Sequence, residues 1–230
     1  MQTIILIRHG YPTTWDEKPK PRGTPAHERL DPGLAEIGFA QARRCAAHVA
    51  KQVAAGGAAN VVISSPFRRC LETAAVVAGD LAVTADWRVG EVLLSQVLGC
   101  PFSPLNAMDP EWADRRQGAG KPAHPESDQT IRERLTRLTL DLKGRKPLAQ
   151  RIVIVSHAII LRELVGLMTG RSVTVDWHPG AITTLTRATP IDRLWRLAGG
   201  LASVAHLGAD DRCEPVDQIV HTYHPLDSRS

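Results

Sequence analysis

No stretch of this 230-residue chain approaches the roughly 20 apolar residues that span a bilayer, so no membrane partner is expected. The opening run Met1–Ile7 is apolar, but it lacks a basic leader and stops at Arg8, which is not the pattern of a secretory signal. Cysteine is scarce and scattered: Cys45, Cys70, Cys100 and Cys213 form no CxxC pair. That excludes a zinc ribbon or a disulfide framework and fits reduced thiols in a cytoplasmic protein. No basic run is dense enough for a nucleic-acid stripe. The formal charge of +4 would suit a small anionic substrate, and an ordinary solvated surface equally well. Internal repeats and linker-like boundaries are also missing. A domain of this size buries roughly three quarters of its unfolded surface and needs no metal staple. One domain over residues 1–230 is therefore the expectation.

What is present is an alternation of short apolar runs and amphipathic stretches. Thr3–Ile7 reads as a strand buried on both faces, Asn60–Ile63 as a second, Val83–Trp87 as a third and Arg151–Val155 as the clearest. Ala181–Thr186 and Asp192–Leu197 read as late strands joined by a turn. Helical spacing covers Leu34–Val53, Asp128–Lys143 and Ala158–Met168. A further helix is predicted to start at Ser65-Pro66, with serine as its cap and proline in its first turn. The pattern predicts an α/β fold, a three-layer α/β/α sandwich around a mostly parallel sheet. Loop insertions are expected near residues 11–33 and 99–127, with a loosely ordered tail after Gly208.

Three strands end in polar clusters: Arg8-His9-Gly10, Ser64-Ser65-Pro66-Phe67-Arg68 and Ser156-His157-Ala158. In open α/β sheets ligands bind beyond the carboxyl ends of the strands. Two histidines and two arginines would converge there on one anion-sized site. Arginine offers a fork of donors matched to phosphate oxygens, and helix N-termini at Ser65 and Ser156 would add backbone N–H groups.

Five ordered segments carry a resemblance to the histidine phosphatase (phosphoglycerate mutase-like) superfamily. They are Leu6-Ile-Arg8-His9-Gly10, Leu34–Ala42, Ser64–Ala74, Trp87–Glu91 and Val155-Ser-His157-Ala. The resemblance implies that His9 attacks phosphorus, giving a phosphohistidine that water then hydrolyses. Arg8, Arg68 and His157 would bind the phosphoryl oxygens, with Gly10 and Thr14 also at the substrate. Glu91 would protonate the leaving oxygen, its pKa raised by burial beside a phosphate, with Glu126 as the rival acid. Cationic side chains would supply the charge, so neither metal nor cofactor is implied.

Plainer readings apply elsewhere. Arg69 reads as a solvated helix position and Glu72 as a structural partner for an arginine. His206 reads as a packed histidine, His221 and His224 as solvated, and Trp112, Trp177 and Trp195 as packing residues. Within the superfamily a phosphatase is favoured over a mutase, because Tyr11-Pro12 follows Gly10 and Trp15-Asp16 stands one residue late for the Trp-Asn pair of mutases. A non-catalytic phosphate binder is the third reading. The expected partner is a small phosphorylated substrate; a homodimer is left open.

Overall fold

The computed structural model describes residues 1–15, 31–54, 59–92, 126–145 and 151–212. Most of the two expected insertions lies outside the described residues, as do Cys100, Trp112, Cys213, His221 and His224. The chain order is β1 (Gln2–Arg8), α1 (Glu36–Ala54), β2 (Ala59–Ser64), α2 (Arg68–Ala78), β3 (Val83–Ala85), α3 (Asp128–Gly144), β4 (Arg151–Ser156), α4 (Ala158–Thr169), β5 (Ile182–Arg187) and β6 (Arg196–Leu197). Short 3-10 turns at Thr13–Trp15, Trp87–Val89 and Ala209–Asp211 punctuate it.

The strands form one sheet in the order β3-β2-β4-β1-β5-β6. The first four run parallel, and β5 and β6 are antiparallel additions on the far side of β1. The centre of β1, Ile4–Ile7, is apolar because both its faces are covered. Ile4, Ile5, Leu6 and Ile7 have no solvent-exposed surface, each contributing about 1.5–3 kcal/mol of burial. Side chains alternate between two cores, as the period of a strand requires. Ile4, Leu6, Ile152 and Ile154 pack under α3 and α4, whereas Ile5, Ile7, Val153 and Val155 pack under α1 and α2. This is the predicted sandwich. Among the described residues no helix is long and apolar enough to cross a membrane.

One local prediction needs correction. The second helix begins at Arg68, with Phe67 rather than Ser65 at its cap. Pro66 lies in a bend and Phe67 is extended, and the hydroxyl of Ser65 meets His157 instead of capping a helix. Of the tail expected after Gly208, residues beyond 212 lie outside the described residues. Ala209–Asp211 form a turn, and Asp211 accepts a hydrogen bond from Arg44 on α1 at 2.9 Å.

The register places the reactive strand ends side by side. Arg8 pairs with Ser156, and Ser64 with Val155. The ladder then runs one residue further: His9 N–H donates to the Ser156 carbonyl at 3.0 Å, and Ser65 N–H to that of Val155 at 2.9 Å. The chain leaves β1 through a very close backbone contact. A Cβ on Gly10 would lie 2.4 Å from the Gly38 carbonyl oxygen, and one on Gly38 would lie 2.3 Å from that of Tyr11. Only glycine at both positions lets the first loop cross the start of α1. Gly38→Ala is expected to lower the urea midpoint by an amount equivalent to about 1–3 kcal/mol, with backbone rather than a flexible side chain in the way.

Candidate active site

His9 is buried directly beyond β1. Its Nδ1 lies 2.8 Å from the Gly10 carbonyl, which can only accept, so Nδ1 carries the proton. Nε2 is left with its lone pair and faces Arg69, whose Nε–H donates to it at 3.3 Å. Burial, then the positive charges of Arg69 and Arg8, hold the pKa of His9 well below the usual histidine value. The ring is therefore neutral near pH 7. Gly10 N–H donates to the Thr73 hydroxyl at 3.1 Å, which fixes the carbonyl that orients the imidazole.

Arg69 is the largest departure from the sequence reading. It is buried, not solvated. Besides His9, its guanidinium donates to Glu91 Oε2 at 3.1 Å and lies 3.1 Å from His157 Nδ1. The later helix start explains the error. With Arg68 as the first residue of α2, Arg69 and Thr73 fall one turn apart on the inward stripe, together with Cys70 and Ala74. That i, i+4 pairing beside small apolar residues was the signal available in the sequence. Arg68 turns another way: its Nε donates to Glu72 at 2.8 Å, and its backbone N–H donates to Asp31 at 2.7 Å. Glu72 also accepts from Leu34 N–H at 2.6 Å, so the pair anchors the end of the first loop.

His157, the cap residue of α4, lies with its ring 5.2 Å from that of His9. Nδ1 is 3.0 Å from Glu91 Oε2, and Nε2 is 2.8 Å from the Ser65 hydroxyl and 3.4 Å from Cys70 Sγ. A neutral ring with its proton on Nδ1 satisfies these partners, the Ser65 hydroxyl donating to Nε2. Burial lowers its pKa to about 4, against the opposing pull of Glu91. The protein's own groups act on Glu91 in the opposite sense to that expected beside a phosphate. Burial pushes upward, but the pairing with His157 and the positive charge of Arg69 win and hold the carboxylate below its usual range. In this arrangement Glu91 is the anion of the site.

Arg8 completes the cluster. Its guanidinium donates to the Trp177 carbonyl and stands 5.0 Å from the centre of the Trp15 ring. Trp15 meets His9 edge-on at 6.1 Å and is held by the Tyr11 hydroxyl, which donates to its carbonyl at 2.7 Å. Sequence reasoning treated Trp15 only as a misaligned motif residue and gave Ser65 only backbone N–H groups at a helix start, whereas its hydroxyl meets His157. Thr14 sits in the same turn without a described hydrogen bond to the cluster. Glu126 is not beside the histidines; its carboxylate is buried against Arg134, at 2.8 and 3.1 Å. Among the described residues no group of three or more His, Cys, Asp or Glu could hold a metal ion.

Two histidines, two arginines and a carboxylate thus share one buried pocket floor at the carboxyl ends of β1, β2 and β4. Such a set can bind a tetrahedral anion, present a nitrogen lone pair to it and exchange a proton nearby. Comparison with known proteins agrees. The model of the histidine phosphatase superfamily, branch 1, matches residues 4–198. A phosphoserine phosphatase from Entamoeba histolytica, solved with 3-phosphoglyceric acid, is 26% identical. It superposes with a TM-score of 0.58 over 90% of this chain and 99% of that one. A mycobacterial glucosyl-3-phosphoglycerate phosphatase with inorganic phosphate is 22% identical, with a TM-score of 0.61 over 90% and 100% of the two chains. The alpha-ribazole phosphatase of Shigella flexneri is 19% identical, with a TM-score of 0.58 over 85% and 94%. No curated protein matches the sequence. Site geometry and family match agree: this chain belongs to the histidine phosphatase superfamily, branch 1.

Proposed function

We propose that the protein hydrolyses a small phosphomonoester, without a metal, through a phosphohistidine on His9. The carrying observation is the fixed tautomer of His9: the Gly10 carbonyl accepts from Nδ1–H, which leaves Nε2 unprotonated, its lone pair facing and accepting from the Arg69 guanidinium. In the first step the Nε2 lone pair attacks phosphorus and the bond from phosphorus to the ester oxygen breaks. Arg8, Arg69 and His157 carry the equatorial oxygens, where charge resides during transfer. Glu91 gives its proton to the departing oxygen. Water then attacks the phosphohistidine and passes a proton to the Glu91 carboxylate. The P–N bond breaks, its electron pair returning to Nε2, and inorganic phosphate leaves.

Glu91 is ionised in the empty site, so it must gain a proton before it can act as an acid. An incoming phosphate provides the reason. It takes over the donors of Arg69 and His157 and sets a like charge beside the carboxylate, and both changes raise its pKa. The family neighbours are named for glucosyl-3-phosphoglycerate, phosphoserine and alpha-ribazole, all small organic phosphates or their parent alcohols, which supports that substrate class. Trp15 and Tyr11, standing over His9, would form one wall of the leaving-group pocket.

The direct test is turnover of p-nitrophenyl phosphate between pH 5 and 8 in EDTA. Wild-type activity is expected to survive the chelator and His9→Ala to lose it; activity that persists in His9→Ala overturns the mechanism. On 3-phosphoglycerate, release of inorganic phosphate is expected, and an isomerised product would indicate a mutase instead.

The two adjacent arginines separate cleanly. Arg69→Gln is expected to lower kcat/KM about 10²- to 10³-fold, the loss typical of a donor to developing negative charge. Arg68→Gln, which releases the first-loop anchor at Glu72, is expected to lower it less than about tenfold and to reduce thermal stability.

The acid limb of kcat/KM follows from the depressed pKa of His9. Its folded value lies below the unfolded value near 6.5, so protonation removes the nucleophile only below that pH. Activity is expected to be insensitive to His9 between pH 8 and 6.5. A His9-dependent limb at or above 6.5 would show that the ring is not held neutral.

A further inference from the structure

We propose that Arg134 is a positioning residue for Glu91, fixing the main chain that carries the proton donor. This rests on the role given to Glu91 above. Arg134 is buried on α3, and its guanidinium is divided between two tasks. Nε and Nη2 grip Glu126 at 2.8 and 3.1 Å. Nη1 donates to the carbonyls of Trp87 at 3.2 Å, Arg88 at 2.8 Å and Gly90 at 3.0 Å, and Nη2 reaches that of Glu91 at 3.4 Å. Those four carbonyls close the 3-10 turn Trp87–Val89 and the two residues after it. The last carbonyls of a helical turn have no partner within it. The Trp87 carbonyl also receives Gly90 N–H at 2.9 Å, and that of Val89 receives the Ser156 hydroxyl at 2.6 Å. The planar fork of Arg134 takes the carbonyls of Arg88 and Gly90, shares that of Trp87 and ends on Glu91 itself.

The side chain of Glu91 explains why this matters. Its carboxylate is held by Arg69, by His157 and by the N–H of Val92 at 3.1 Å. A bound phosphoryl group would claim the first two. The carboxylate would then depend on its own backbone for position, at the moment when an error of about 1 Å costs on the order of 10²-fold in rate. A lysine at 134 would keep the charge but lose the planar fork and most of the simultaneous carbonyl contacts.

The test compares kcat/KM of Arg134→Lys on p-nitrophenyl phosphate, whose phenolate departs readily without a proton, and on phenyl phosphate, whose leaving oxygen needs one. His9-dependent turnover in the wild type is established first, so that failure of the parent mechanism is seen separately. The loss on phenyl phosphate is expected to be about 10- to 100-fold, and on p-nitrophenyl phosphate within about threefold. In a Glu91→Gln background the effect of Arg134→Lys is expected to vanish. Equal losses on both esters, or a loss that persists without the Glu91 carboxylate, would overturn the proposal. Should Arg134→Lys fail to fold by near-UV circular dichroism, Glu126→Gln frees one end of the guanidinium and is expected to show the same leaving-group dependence. Loss of the fold in both variants would mark the pair as structural and would equally overturn it.

Discussion

The buried guanidinium of Arg69 is the constraint around which the site is organised. A cation taken out of water is tolerated only with partners, and Arg69 has two acceptors from two elements, His9 after β1 and Glu91 before the second insertion, and lies against His157 at the head of α4. Its charge in turn sets the protonation of its neighbours. It adds to burial in holding both rings neutral and opposes burial in keeping Glu91 ionised. The same helix turn presents Thr73, whose hydroxyl accepts from Gly10 N–H and donates to the Arg69 carbonyl at 2.7 Å. One turn of α2 therefore fixes both the cation and the carbonyl that selects the His9 tautomer.

That turn is rigid because of what lies beneath it. Cys70 and Ala74 pack with Ile5, Ile7, Val153 and Val155 on one face of the sheet. Strands β1, β4 and β2 are neighbours, so His9, His157 and Ser65 emerge in a row, and their backbone hydrogen bonds extend the ladder past the last strand residues. The two antiparallel strands sit on the other side of β1 and leave that row undisturbed. Position is thus inherited from sheet register, which a one-residue slip would destroy.

Much of this was legible in the sequence because it depends on short-range pattern. Fully apolar runs gave the buried strands, and polar residues at their ends gave His9 and His157. The Arg68 and Arg69 pair was misread for a specific reason. Ser65-Pro66 is a good local start for a helix, but the Ser65 hydroxyl is used by His157, and the helix starts three residues later. The Ser65 hydroxyl meets His157 instead of capping the helix, and Arg69 lies on the buried stripe while Arg68 pairs with Glu72. The protonation of Glu91 was illegible for a related reason. Whether burial or nearby cations prevail depends on distances of about 3 Å that no spacing encodes. Glu126 read as a rival acid because a carboxylate's chemistry is set by its partner, and Arg134 is eight residues away on a helix.

The charge balance of the pocket leads to one more consequence of the proposed reaction. With both histidines neutral, two guanidinium groups face one carboxylate, leaving a single net positive charge. A phosphomonoester dianion reverses that sign. Taking up one proton on Glu91 then brings the cluster to neutrality, which is the favourable state where water is excluded. Binding of substrate and protonation of the acid are thereby linked: each promotes the other, as thermodynamic linkage requires. The empty site stores an ionised carboxylate that keeps Arg69 and His157 in place, and the occupied site converts that same group into the proton donor. The residue that substitutes for the substrate before it arrives is the residue that serves the reaction once it is bound.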